Sequence, residues 1–192
     1  MSEKKKESFF GKLLTQNPVF GLYLGICSTL AITTSINNAL GKTEEDYHRA
    51  LASSFMLSAD NAHALHPNYT DKTDPTNHPV LNKGIVIKFN ANQKYCTDAV
   101  SAAIFKELCT KAGVPYQTFV NRSDIAGGST LGNISNTQVP MNTVDIGLPQ
   151  LAMHSSYETA GVADIALGTA ALEAFYNADV CIEDADFAEL RP

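Results

Sequence analysis

Asp60, His63 and His66 fall within seven residues, in the stretch Leu57-Ser-Ala-Asp-Asn-Ala-His-Ala-Leu-His-Pro-Asn-Tyr69. One carboxylate and two imidazoles so spaced are a donor set of the kind that holds zinc in hydrolases, where oxygen and nitrogen ligands share one shell. The apolar run Phe55-Met-Leu57 precedes them, which suits a buried strand delivering Asp60 to the mouth of a cleft. The spacing alone serves a second reading equally well. In that reading Asp60 caps a helix and the histidines are polar loop residues.

Such residues need elements to hold them. Thr43-Glu-Glu-Asp46 opens a helix, with Thr43 as N-cap, an acidic first turn, and Tyr47, Ala50, Leu51 and Ser54 on one face. Ile85-Val-Ile-Lys-Phe89 reads as a strand bounded by Gly84. Thr97 to Ala112 repeats apolar residues at helical spacing (Val100, Ile104, Phe105, Leu108) and stops at Gly113. Pro115 to Val120 is the next strand, Gly127 to Gly132 a flexible loop, Val144 to Leu148 a short buried strand, and Ser155 to Tyr176 carries the last helix. Residues 66 to 83, rich in Pro, Asn, Asp and Thr, form one long loop. Strands alternating with helices predict an α/β fold, a mainly parallel sheet with flanking helices. Three segments follow: a hydrophobic leader over 1–42, the α/β body over 43–176, and an acidic, solvated tail over 177–192.

With 192 residues, 44% of them hydrophobic, the chain can bury one core. A net charge of -6 argues against a nucleic-acid partner, which calls for a basic patch. Cys27, Cys96, Cys109 and Cys181 show no CxxC spacing, which excludes a zinc ribbon or thioredoxin-type site and suits a reducing cytoplasm. Residues 13 to 41 carry no charge and follow Lys4, Lys5, Lys6 and Lys12. That window meets the length of a membrane span with a cytoplasmic N-terminus, so membrane association through residues 13–41 is an open expectation, beside a buried helix of a soluble domain.

Four longer stretches occur in order: Ser58-Ala-Asp-Asn-Ala-His-Ala-Leu-His-Pro-Asn68, Gly84-Ile-Val-Ile-Lys-Phe-Asn-Ala-Asn-Gln-Lys-Tyr95, Asn121-Arg-Ser-Asp-Ile-Ala-Gly-Gly-Ser-Thr-Leu-Gly132 and Thr143-Val-Asp-Ile-Gly-Leu-Pro-Gln-Leu-Ala-Met-His-Ser155. Together, from Thr43 to Tyr176, they closely resemble the C-terminal part of the aspartyl aminopeptidase family of zinc exopeptidases. The resemblance implies a partial zinc-exopeptidase catalytic domain with two zinc ions per site, a peptide substrate with a free N-terminal residue, acidic or neutral, and assembly into a homo-oligomer. It puts Asp60 and His154 on metal-binding positions. His63, Lys88, Tyr95, Gly128 and Ser129 fall on positions that contact or shape the substrate pocket, and His66 orders the loop. The family also requires a His-x-Asp motif and an adjacent Glu-Glu pair, one glutamate being the general base. No His-x-Asp occurs, and Glu44-Glu45 reads as a solvated first helical turn. No catalytic base is therefore assigned.

The leader carries a separate resemblance. Asn17-Pro-Val-Phe-Gly-Leu-Tyr-Leu-Gly-Ile-Cys-Ser-Thr-Leu-Ala-Ile-Thr-Thr-Ser35, through Asn38-Ala-Leu-Gly41, resembles the first helices of small membrane subunits of Rnf/Nqr ion pumps. In that family the cysteine matching Cys27 helps hold an iron–sulfur cluster. One thiolate cannot hold a cluster that needs four. The sequence thus carries three functional readings: a metalloaminopeptidase with an incomplete centre, a membrane subunit of an Rnf/Nqr-type electron-transport complex, and a noncatalytic assembly module.

Overall fold

In the computed structural model, residues 29–32, 43–182 and 188–191 are described. A five-stranded sheet lies at the centre, built from β1 (Thr29–Ile32), β2 (Phe55–Ala59), β4 (Ile85–Phe89), β5 (Tyr116–Val120) and β6 (Asn142–Gly147), in the order β1-β2-β6-β4-β5. β2 runs parallel to β6 and β4 parallel to β5, whereas the β1–β2 and β4–β6 pairs are antiparallel. The α/β layering is as expected, but the sheet is mixed rather than mainly parallel. The parallel β4–β5 pair is joined by α2 (Ala99–Lys111), a helical crossover. β2 reaches β4 through residues 64–84 without a full helix, so nothing in that connection imposes a parallel direction.

Side chains alternate across a strand, and here the alternation divides two jobs. Phe55, Leu57, Ile85, Ile87, Val144 and Ile146 face one side, where they pack on Phe105 and Leu108 of α2 and on Ala171 and Phe175 of α4 (Val162–Tyr176). The other side receives Met56, Ser58, Val86, Lys88, Thr143 and Asp145, all buried. Its apolar part is made by Val86 with Ala62, Tyr95 and Phe119, and by Met56 with Leu51 of α1 (Glu44–Ala52) and Met141. The polar part is where the site forms.

α1 starts where the sequence says, and α2 starts two residues after the expected Thr97. Thr43 closes a capping box with Asp46 at the head of α1, and Asp98 closes one with Ser101 at the head of α2. α2 ends at Lys111, before Gly113 at φ 67°. The last helix begins seven residues later than expected, because Ala152 and His154 take left-handed backbone and Thr159–Ala160 forms strand β8. β8 pairs with β7 (Pro149–Leu151), which pairs in turn with β3 (Ala62–His63). The expected glycine loop continues into a short helix, α3 (Leu131–Asn136).

Two terminal expectations are corrected. Residues 179–182 and 188–191 are not a solvated tail. β9 (Asp179–Ile182) and β10 (Ala188–Arg191) form an antiparallel hairpin, and Val180, Ile182, Ala188 and Leu190 pack against the main core. Their alternation with charged residues is a strand pattern that the acidic composition hides. Of the charge-free window 13–41, only Thr29–Ile32 is described. It is an edge strand paired with Met56–Ala59, not part of a hydrophobic helix. The rest of the expected leader, Cys27 included, lies outside the described residues. No helix among the described residues is long and apolar enough to cross a membrane.

Candidate functional site

A cavity of about 520 Å³ opens on the polar side of the sheet. Asp60, His63, Lys88, Tyr95, Gly128, Ser129 and His154 all line it, so residues up to 94 positions apart in sequence are brought together. His66 lines it too. Its Nδ1 accepts the Asn68 N–H at 3.2 Å and its ring stands 5.0 Å from that of Tyr69, which orders the start of the long loop.

Asp60 follows directly on β2. Its N–H continues the parallel ladder by donating to Ile146 at 3.0 Å, while its carbonyl accepts from Lys88 Nζ at 3.1 Å. Gly147 makes this possible, since a Cβ there would lie 1.8 Å from the Asp60 carbonyl oxygen. Lys88 is 1% exposed and its ammonium sits 5.1 Å above the Tyr95 ring. Burial lowers the pKa of Lys88, opposed by the charges of Asp60 and Asp145. The Tyr95 hydroxyl donates to Asn121 Oδ1 at 3.3 Å. Burial, then Asp145 and Asp60, push its pKa up to about 12, so the phenol stays a neutral hydrogen-bond donor.

Two strained residues present the other wall. Ala152 and His154 have φ 53° and 70°, a region costly for residues with a Cβ. Ser155 N–H closes the turn on Ala152 at 3.0 Å, and the Glu158 carboxylate accepts the His154 N–H at 2.6 Å. The His63 and His154 rings meet edge to face at 6.5 Å. Loss of water, then the neighbouring His154 and Lys88, hold His63 below the usual imidazole value, with Asp60 opposing. The neutral ring keeps a lone pair available.

Behind the cavity lies a residue the sequence reading passed over. Asp145 is fully buried on β6. One oxygen accepts from Ser58 and Thr130 hydroxyls, each at 2.7 Å, and the other from the Cys96 N–H at 2.6 Å. A carboxylate inside an otherwise apolar strand, Val144-Asp-Ile146, was the available signal. Gln150, on β7 opposite His63 in register, is 5% exposed, and its Oε1 has no hydrogen-bond partner. Among the described residues that line it and carry charge, the cations Lys72, Lys88 and Arg122 stand with the carboxylate Asp60, and Lys72 pairs with Asp71 at 3.7 Å. Arg122 also bridges to the Asp71 carbonyl and pairs with Asp124 at 2.7 Å.

The resemblance implies zinc, and the described donors at the cavity fall short of a shell for it. Among the described residues no three His, Cys, Asp or Glu groups come together to hold a metal ion. Asp60 and His154 alone do not make a zinc shell of three or four protein ligands. Glu45 lies on the outer surface of α1, paired with Arg49 at 2.5 Å.

Comparison with known proteins places the chain in a family and a fold. The family model described as "Aminopeptidase I zinc metalloprotease (M18)" matches residues 27–176. A probable M18 family aminopeptidase 2 from Clostridium novyi (strain NT) is 53% identical over 139 residues, covering 72% of this chain and 32% of the relative. A chain in the cryo-EM structure of the Ape4 and Nbr1 complex is 41% identical with a TM-score of 0.69, over 71% of this chain and 26% of that one. The structure of the S. cerevesiae mApe1 dodecamer is 28% identical with a TM-score of 0.60, over 74% of this chain and 33% of that one. The chain spans about a third of the length of the curated relatives it matches. The Rnf/Nqr resemblance finds no support, and the matched span takes in Cys27 to Gly41, where that resemblance was read.

Proposed function

This chain belongs to the aminopeptidase I zinc metalloprotease (M18) family, and on that premise we propose that its cavity is the peptide-binding part of a metalloaminopeptidase site. The observation that carries the reading is the convergence of Asp60, His63, His154, Lys88 and Tyr95 on one cavity. Asp60 and His154 serve as zinc ligands, and further ligands and the general base come from outside the described residues. Bound zinc would act as a Lewis acid on the scissile carbonyl. The chain's own residues bind and orient the peptide. The Tyr95 phenol, turned from Asn121 Oδ1, donates its one proton to the carbonyl oxygen. The buried Lys88 ammonium favours an acidic N-terminal residue, Lys72 and Arg122 being paired with Asp71 and Asp124.

The test is hydrolysis of an N-terminal aspartyl anilide by the purified chain with added zinc, with Asp60→Ala as control. The expected result is saturable binding with little turnover. Robust turnover abolished by Asp60→Ala would show that a base and remaining ligands are present in this chain. Absence of binding would remove the peptide reading.

Assembly with other copies belongs to the same proposal. Val162, Ile165 and Tyr176 recur along α4 and are 84%, 58% and 60% exposed, apolar surface that supports association. A cytoplasmic location is proposed with it.

A further inference from the structure

Thr130 stands at the N-cap of α3, yet its hydroxyl makes no capping hydrogen bond. Threonine at that position ordinarily accepts from the first-turn N–H groups. Here the hydroxyl donates to Asp145 at 2.7 Å instead. The hydroxyl is turned toward a carboxylate fifteen residues away rather than toward the helix end, a departure of the kind concentrated at functional sites. Gly132 makes the approach close: a Cβ there would lie 2.5 Å from Ser58 Oγ and 3.0 Å from Asp145 Oδ1.

The segment so tethered is Gly127 to Thr130, a wall of the cavity. At its start, Gly127 packs on Asn121, whose Nδ2 would stand 1.7 Å from an added Cβ. At its middle, a Cβ on Gly128 would meet nothing within 4 Å. Beside it, Ser129 Oγ accepts from Asn133 Nδ2 only at 3.5 Å, so the closer holds on the loop are at its two ends. The other oxygen of Asp145 takes the N–H of Cys96, the residue after Tyr95.

We propose that Asp145 is a positioning residue, which through Thr130 fixes the Gly127–Thr130 loop against the cavity and so sets the affinity for peptide. The affinity part rests on the peptide-binding reading above; the tether does not. Ser58 supplies the control, because its hydroxyl donates to the same Asp145 oxygen at the same 2.7 Å without touching the loop by hydrogen bond.

The experiment compares the full chain with Thr130→Val, Thr130→Ser and Ser58→Ala, reading amide hydrogen exchange at residues 127–129, thermal midpoint and affinity for an N-terminal aspartyl peptide. Thr130→Val should speed exchange in the loop by about tenfold or more, the loss expected for one hydrogen bond to a charged group. Peptide affinity should fall in step, and Thr130→Ser should restore both. Ser58→Ala should lower the thermal midpoint comparably yet leave loop exchange within about twofold. Equal loop exchange in Thr130→Val and Ser58→Ala, or no change in either, overturns the tether. If the unaltered chain binds no peptide while Thr130→Val still loosens the loop, the tether stands and the peptide reading fails. Thr130→Ala replaces the valine variant should that one not fold.

Discussion

Lys88 reaches from the middle of β4 to donate its ammonium to the main-chain oxygen of Asp60 at 3.1 Å. A buried cation is thereby fixed beside the carboxylate that opens the cavity. Lys88→Met keeps the stem and removes the charge. Asp60 and Asp145 offset part of the cost of burying that charge, and the Asp60 carbonyl loses its donor, so stability at neutral pH should fall by about 1–3 kcal/mol. Binding of an aspartyl peptide should weaken by about tenfold or more. Urea unfolding and a peptide titration on the same variant separate the two effects. A large loss of stability with unchanged binding would give Lys88 a purely structural part.

Glu158 holds His154 by its main chain, at 2.6 Å, in a left-handed conformation. Glu158→Ala releases that turn and should weaken zinc binding by roughly 10-fold, the range seen when outer partners of metal ligands are removed. Glu158→Gln keeps an acceptor in place and should lose much less. Equal losses in both variants would mean that charge, not positioning, is what Glu158 contributes.

Gly147 lies where a Cβ would be 1.8 Å from the Asp60 carbonyl oxygen. Gly147→Ala must therefore displace the backbone of Asp60 or of β6. The expected cost is about 2 kcal/mol or more, as for other overpacked buried positions. Chemical denaturation measures it, and a cost near zero would show that Asp60 is not clamped as described.

Much of this was legible in the sequence. β2, β4 and β6 were readable as short apolar runs, and α2 because its apolar residues recur at helical spacing and stop at Gly113. Asp60 and His63 were visible from residue type and spacing, and the motif match added His154, Lys88 and Tyr95. Strand direction was not legible, since β4 meets β6 through contacts across about 60 residues that no local pattern encodes. Asp145 went unremarked because its donors, Ser58, Cys96 and Thr130, come from three separate segments. The paired strands at 179–182 and 188–191 were misread because the acidic residues around them outweighed the alternation of Val180, Ile182, Ala188 and Leu190.

Alkaline pH should be a weak point of the fold. Burial pushes the Cys109 thiol from 9.0 up to about 12. Burial, then Asp145, push Cys96 to about 11. Folded-state values above the unfolded ones mean that the native chain keeps these protons longer. Their stabilisation is full below about pH 9 and is lost as pH rises toward the folded values. For Cys109 alone the loss between about pH 9 and about pH 10.5 is on the order of 1.5 kcal/mol. Urea midpoints across that range should fall, and Cys109→Ala should flatten part of the fall, leaving the share of Cys96 and Tyr95. An unchanged slope would show that the Cys109 thiol ionises as freely in the folded chain as in the unfolded one.

The central claim is that Asp60 and His154 act on one ligand. Calorimetric titration of zinc into the chain, Asp60→Ala, His154→Ala and the double variant tests it most directly. If the two share an ion, each single substitution removes most of the binding and the double variant loses little more, a coupled pair in a double-mutant cycle. Losses that add independently, or a His154→Ala variant that binds zinc as the unaltered chain does, would contradict it.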